Sequence, residues 1–212
     1  MKTLFICLIL LSEPLLAAQR VEVGRFSAGD VEGWQHKVFE GKTQYRLLRQ
    51  GGTTVMEADS VASASAFYRE MDIDLDKTPV LHWRWRKRLA VQPQDENSKA
   101  GDDFVARVYV IKDGGLWVWK TRAINYVWSF RHRKGEVWDN PFAGKRAKMV
   151  AIRDAQDAGQ SWFEQQRNVR EDFKSLLGQD VERIDGIAIM TDSDNTDTAA
   201  QAEYGDIWFS SE

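Results

Sequence analysis

Cysteine is nearly absent from this chain: the single one is Cys7, close to the start. No disulfide can form within one molecule, and no cysteine cluster is available to hold a metal. Histidine is almost as scarce. His36, His82 and His132 stand far apart and lack metal-ligand spacing. Long apolar runs are missing too. Leu4 to Leu11 is about half of the roughly 20 residues that a membrane-spanning helix needs. Charge of one sign is not in excess, since the formal net charge is −3 with acids and bases interspersed. That excludes the basic signature of a general nucleic-acid binder and a polybasic membrane patch. Also missing are G-x-S-x-G, H-E-x-x-H, the P-loop and G-x-G-x-x-G, and with them the local signatures of the chemistries they serve.

What is present begins with an export signal. Lys2 supplies a positive start, Leu4 to Leu11 an apolar core, and Ala17-Ala18 a small-residue end. Glu13 and Pro14 interrupt any longer helix. Cleavage is expected after Ala18, leaving Gln19 first, removing Cys7 and leaving no stable membrane insertion. The product is expected in the periplasm or secreted, as one domain over residues 19–212. A chain of that size can bury enough apolar surface to fold without disulfides.

The 9 tryptophans are the compositional excess. Each is large and carries an N–H that needs a partner when buried. Most should fill a core, while a few could stack on a flat ligand.

Two-residue alternation dominates the rest. Val80 to Arg86 is the clearest strand, with Leu81, Trp83 and Trp85 on one face and His82, Arg84 and Arg86 on the other. Phe104 to Ile111 alternates likewise, placing Arg107 and Tyr109 together. Strands are also read over Val21 to Phe26, Tyr45 to Arg49, Thr53 to Ala58, Leu116 to Lys120, Ala123 to Phe130, Met149 to Arg153, Ile184 to Met190 and Tyr204 to Phe209. The run Val61 to Phe67 alternates alanine with serine, a small-residue strand against which something large could pack. Gly51-Gly52 and Gly114-Gly115 mark tight turns. Gln92 to Gly101 is polar and reads as a loop. One helix is expected after the N-cap Asn168, with Glu171 at N3, a stripe of Val169, Phe173, Leu176 and Leu177, and Gly178 beyond its end. Many strands with one short helix near the C-terminus predict an all-β, jelly-roll-like sandwich.

Two constellations could carry function. Arg84, Arg86, Arg107, Tyr109 and Trp128 combine guanidinium forks with aromatic faces, a set suited to carboxylated sugars or other anionic ligands. Surface arginines paired with the abundant acids would look the same. The second is acidic: Asp102-Asp103, the run Asp192-Ser193-Asp194-Asn195-Thr196-Asp197, and Asp206. Asp192, Asp194 and Asn195 could hold Ca²⁺ through oxygen ligands, or could simply form a solvated turn. An EF-hand is excluded, because Asp197 occupies the position where that loop requires glycine.

Trp83-Arg84-Trp85, Gly101-Asp102-Asp103, Asn125-Tyr126-Val127-Trp128, Arg167-Asn168-Val169 and Thr191-Asp192-Ser193-Asp194-Asn195-Thr196 together resemble a bacterial family known only as a domain of unknown function. The closing Gly205-Asp206-Ile207 strand is similar to the last strand of galactose-binding-like jelly rolls, which include many carbohydrate-binding modules. The residues and these resemblances lead to the expectation of an exported binding domain for a glycan or anionic small ligand. Its face would be built from Arg84, Arg86, Arg107, Tyr109 and Trp128, with Asp102, Asp103, Asp192 and Asp194 at a loop-built edge. A hydrolase using a carboxylate pair from those aspartates is one alternative. An envelope interaction protein without a small ligand is the other.

Overall fold

A computed structural model describes residues 19–91, 94–116, 120–157 and 160–212. The expected signal segment, most of the strand expected over Leu116 to Lys120 and part of the loop from Gln92 lie outside these residues. Two sheets face each other. The first runs in the order β3 (Gln44–Gln50), β4 (Thr53–Val61), β13 (Ala199–Ser210), β6 (Val80–Leu89) and β11 (Phe163–Asn168), with β1 (Arg20–Gly24) also paired to β13. The second runs β2 (Trp34–Glu40), β5 (Ala64–Asp74), β12 (Arg183–Met190), β7 (Arg107–Lys112), β8 (Arg122–Trp128), β10 (Gly144–Arg153) and β9 (Val137–Asn140). Every pairing is antiparallel except that of β8 with β10, which is parallel. The all-β sandwich expected from the alternation is the observed fold.

Alternation places the core. Leu81, Trp83 and Trp85 of β6 point inward and are essentially inaccessible. Ile124, Tyr126 and Trp128 of β8 meet them from the other sheet. Trp83 stacks on Tyr126 with centroids 5.3 Å apart, and Trp85 lies 6.2 Å from Trp128. Five of the seven described tryptophans are buried: Trp34, Trp83, Trp85, Trp128 and Trp138. Aromatic burial of this kind, about 150–250 Å² per ring, takes the place that disulfides have in smaller domains.

The helix α1 (Val169–Leu177) forms where the capping signals place it. Asn168 Oδ1 accepts from the Glu171 N–H at 3.1 Å, and Gly178 takes the left-handed conformation that closes the helix. Val169 and Phe173 enter the main core. Among the described residues, no helix is long and apolar enough to cross a membrane.

One expected strand divides. Val61 to Phe67 is not continuous: Ala62 has φ 41° and turns the chain from β4 into β5, so it crosses from one sheet to the other. Three strands went unread, namely β2, β9 and β11. All three are sheet edges.

Candidate functional site

The outer face of the second sheet carries its bulk unevenly: Val127, Met149, Ala151 and Trp138 are packed under Phe104, while small side chains floor the neighbouring part. Its rows of directly opposed residues include Ala66–Met190–Arg107–Val127–Ala151 and Tyr68–Ala188–Tyr109–Asn125–Met149–Trp138. Ala64, Ala123 and Ala147 share this face. Methyl groups cannot fill the space above a sheet, so a cleft of about 710 Å³ remains. Two exposed phenylalanines flank it. Phe39 rises from the β2 edge and Phe142 from the β9–β10 turn, 60% and 56% exposed.

One end of the cleft is charged, where the loop before β7 meets the loop after β12. Arg107 is buried there. Its Nε donates to Asp192 Oδ1 at 2.9 Å, and its Nη2 donates to Asp192 Oδ2 and to the Asp102 carbonyl. Nη1 reaches Asp102 Oδ2 at 3.4 Å. Asp192 Oδ1 also accepts from the Phe104 N–H at 3.1 Å. Burial opposes the guanidinium charge, but Asp102 and Asp192 outweigh it and hold Arg107 firmly protonated. Asp103 organises the neighbouring loop. Its oxygens accept from the Asn195 backbone N–H at 3.2 Å and side-chain amide at 3.1 Å, and from the Thr196 N–H at 2.7 Å and hydroxyl at 2.6 Å.

Other polar groups here remain uncommitted. Asp102 Oδ1, Asp194 Oδ1 and Asn125 Oδ1 are buried acceptors without a hydrogen-bond partner, and all three residues line the cleft. The Tyr109 hydroxyl donates only to the soft sulfur of Met190, at 3.3 Å. Burial pushes the Asp102 carboxyl above its ordinary value of 3.8, against the pull of Arg107. Burial, reinforced by Asp103, does the same for Asp194. An unpartnered buried acceptor costs about 1–3 kcal/mol, a cost that a donor entering the cleft would offset.

The Ca²⁺ expectation meets a different arrangement. Asp103, Asp192 and Asp194 do bring carboxylate oxygens within 4.8 Å of one another. Yet Asp192 is held by Arg107, Asp103 already accepts four donors, and the Asn195 amide is turned toward Asp103. The guanidinium supplies the positive charge among these acids, and only Asp194 keeps a free oxygen.

The single ligand face expected from the sequence does not hold together. Arg107, Tyr109, Asp102, Asp192, Asp194 and Asn195 converge on the cleft, with Asp103 beneath its loop. Arg84 and Arg86 lie on the outer face of the first sheet, across the sandwich. Trp128 belongs to the core, fully buried between the sheets. Asp206 is structural: it accepts from the Ser27 N–H at 2.7 Å and hydroxyl at 2.5 Å, fastening the Phe26–Ala28 turn to β13. Asn125, Phe39 and Phe142 were not anticipated. Of these, Asn125 was readable, because it alternates with Ala123 and Val127 on the outward face of β8.

These features define a class: a two-sheet sandwich with a polar-ended, alanine-floored cleft on one outer face. The chain belongs to the protein family of unknown function DUF3047, which it matches over residues 32–208. No curated protein matches it. Several solved structures are similar to it. A mutant carbohydrate-binding module of family 29 is 9% identical, with 92% of this chain and 93% of that one covered and a TM-score of 0.44. The cellulose-induced protein Cip1 is 11% identical, with coverage of 89% and 96% and a TM-score of 0.46. The glycoside hydrolase domain of Endo-D from Streptococcus pneumoniae is 8% identical with a TM-score of 0.41; 84% of this chain is covered, but only 22% of the hydrolase. This chain therefore spans about a fifth of that enzyme's length.

Proposed function

We propose that this protein binds a glycan, or another polyhydroxylated ligand, in the cleft on the second sheet. The observation that carries this reading is the set of uncommitted acceptors on Asp102, Asp194 and Asn125 above an alanine floor. Sugar hydroxyls are donors in search of such acceptors, and the exposed rings of Phe39 and Phe142 offer apolar faces for the C–H side of a sugar ring. We also propose that the binding takes place outside the cytoplasm, supported by the sequence of residues 1–18. N-terminal sequencing of the mature protein should return Gln19, and a retained Met1 on a membrane-bound form would refute export by cleavage.

A glycan array followed by calorimetry tests the cleft. Asn125→Ala and Phe142→Ala should each weaken the best hit about tenfold, a loss of about 1.4 kcal/mol. Ala123→Phe should abolish it by filling the floor while leaving the melting temperature nearly unchanged. Binding that survives Ala123→Phe would place the ligand elsewhere.

A second reading draws on the raised carboxyls of Asp102 and Asp194. A carboxyl whose proton burial holds more tightly, beside an open cleft, is a general-acid candidate for glycoside hydrolysis. It predicts turnover of a bound glycan that Asp102→Asn or Asp194→Asn eliminates while affinity remains. A bound glycan that stays intact over days ends this reading and leaves the first standing.

A further inference from the structure

The outer face of the first sheet holds a second concavity, of about 380 Å³. Arg84 and Arg86 of β6 line it with Trp162, just ahead of β11, and with Gln50 and Thr53 of the β3–β4 hairpin. It shares no residue with the cleft across the sandwich.

The two arginines differ in how their charge is balanced. Arg86 is neutralised: its guanidinium lies 2.5 Å from the buried carboxylate of Glu203 on β13, and it also donates to Gln50 Oε1. Arg88 shares the same Glu203, and Glu57 is taken by Arg46. Arg84 has no such counterpart. Glu164 stands directly opposite it on β11 but is exposed, and no salt bridge joins the two. Among the described residues, the Arg84 side chain makes no hydrogen bond and no ion pair. It is positioned nonetheless. Its guanidinium lies 4.9 Å from the centre of the Trp162 ring, with that of Arg86 at 4.7 Å on the same ring. Its stem lies along Gly205 of β13, where a Cβ would come within 2.4 Å of Nε and 2.5 Å of Cγ. Glycine at 205 is therefore what lets Arg84 lie flat on the sheet.

We propose that this concavity binds a carboxylate carried on a sugar-sized body, with Arg84 presenting its fork to the carboxylate. Three observations combine. A guanidinium without an acid partner sits beside a second guanidinium. It is held between an indole and a glycine, so little rotamer freedom remains to be lost on binding. It faces a space within the roughly 300–1,000 Å³ range of small-molecule sites. A planar fork matches a carboxylate in two parallel hydrogen bonds, and Gln50 and Thr53 face the remainder of the ligand with neutral polar groups.

The test is calorimetry on the whole protein with galacturonate, an oligogalacturonate, citrate, and galactose as the neutral match. Galacturonate should bind, and galactose should not bind at this site. Arg84→Gln should weaken the galacturonate signal about tenfold or more, as expected for a lost charged hydrogen-bond pair. Gly205→Ala keeps every charge but displaces Arg84, and should weaken binding in the same direction. Asn125→Ala, in the other cleft, should leave it unchanged, which separates failure here from failure of the glycan reading. Tighter binding of the oligomer assigns the carboxylate to an acidic glycan; equal binding of citrate assigns it to free organic acids, and either supports the site. The proposal is overturned if millimolar galacturonate gives no heat, if Arg84→Gln binds as well as the wild type, or if Asn125→Ala removes the signal. Melting curves on each variant confirm that the fold is intact.

Discussion

The two outer faces of this sandwich handle charge in opposite ways. On the first sheet, Arg46, Glu57, Glu203 and Arg86 stand opposite one another across β3, β4, β13 and β6, and the arginines at both ends neutralise the two acids between them. On the second sheet the middle is methyl-rich, and charge is gathered at one end around the buried Arg107. The face tiled with ion pairs keeps only the smaller concavity beside Arg84, whereas the alanine-lined one leaves a wider trough whose end groups are short of partners. The difference teaches that arginines at corresponding strand positions need not play the same part. Arg107 is a buried counter-ion, Arg86 a tile, and Arg84 neither.

Removing Arg107 should break the comparison most severely. Arg107→Ala would leave Asp192 buried without its counter-charge and Asp102 without its donor, a loss of about 3–5 kcal/mol. Urea unfolding measures it, and a loss under about 1 kcal/mol would mean that water already reaches the cluster. Arg86→Ala comes next, at about 1–3 kcal/mol, because Arg88 remains beside Glu203 at 3.4 Å. Acidity sharpens the comparison further. Asp102, Asp194 and Glu96 have carboxyls raised by burial, so over the window above their ordinary values of 3.8 and 4.5 the folded state holds more protons than the unfolded one. Stability from these groups is present at low pH and falls as pH rises through their folded values. Asp194→Asn should therefore stabilise the protein at about pH 7 and have no effect near pH 4, as read from melting temperatures across that range. The smallest effect belongs to Arg46→Ala. Its side chain is 58% exposed, and the loss should stay within about 1 kcal/mol even though Glu57 is buried.

Much of the fold was legible because its central strands alternate between a buried and an open face. The pattern of β6, with Trp83 and Trp85 in and Arg84 and Arg86 out, is one that period-two reading captures. The unread strands are edges. β11 carries Glu164, Gln165, Gln166 and Arg167 and buries none of its residues, so no apolar alternation marks it. Polar edges resist pairing with other chains, and the same property hides them from a hydrophobicity reading. The site was half legible for a related reason. Alternation reveals which residues share a side of one strand, but not on which of two sheets that strand lies. Arg84 and Arg107 were joined on that account, though the sandwich separates them. Trp128 was grouped with the ligand face, yet its parity with Ile124 and Tyr126 places it in the core. The acidic end was recovered because Asp102, Asp103, Asp192 and Asp194 sit in loops flanking strands that proved to be neighbours. Phe39 and Phe142 were not recoverable, since nothing local distinguishes an exposed rim phenylalanine from a buried one.

Strand β13 has a consequence for how the molecule comes into being. It lies between β4 and β6, though some 110 residues of sequence separate it from β6. It supplies Glu203 to Arg86 and the bare backbone of Gly205 to Arg84. Its Tyr204 hydroxyl donates to the Met190 carbonyl at 2.7 Å and accepts from the Arg107 N–H at 3.3 Å, reaching the opposite sheet. Until residues 199–210 arrive, the first sheet is two separate ribbons and an unpaired β1, and its outer face lacks its final shape. Closure of such distant contacts is intrinsically slow. A chain made from its N-terminus would thus leave the first sheet open until nearly all of it is present, and that face would set only when β13 slots in.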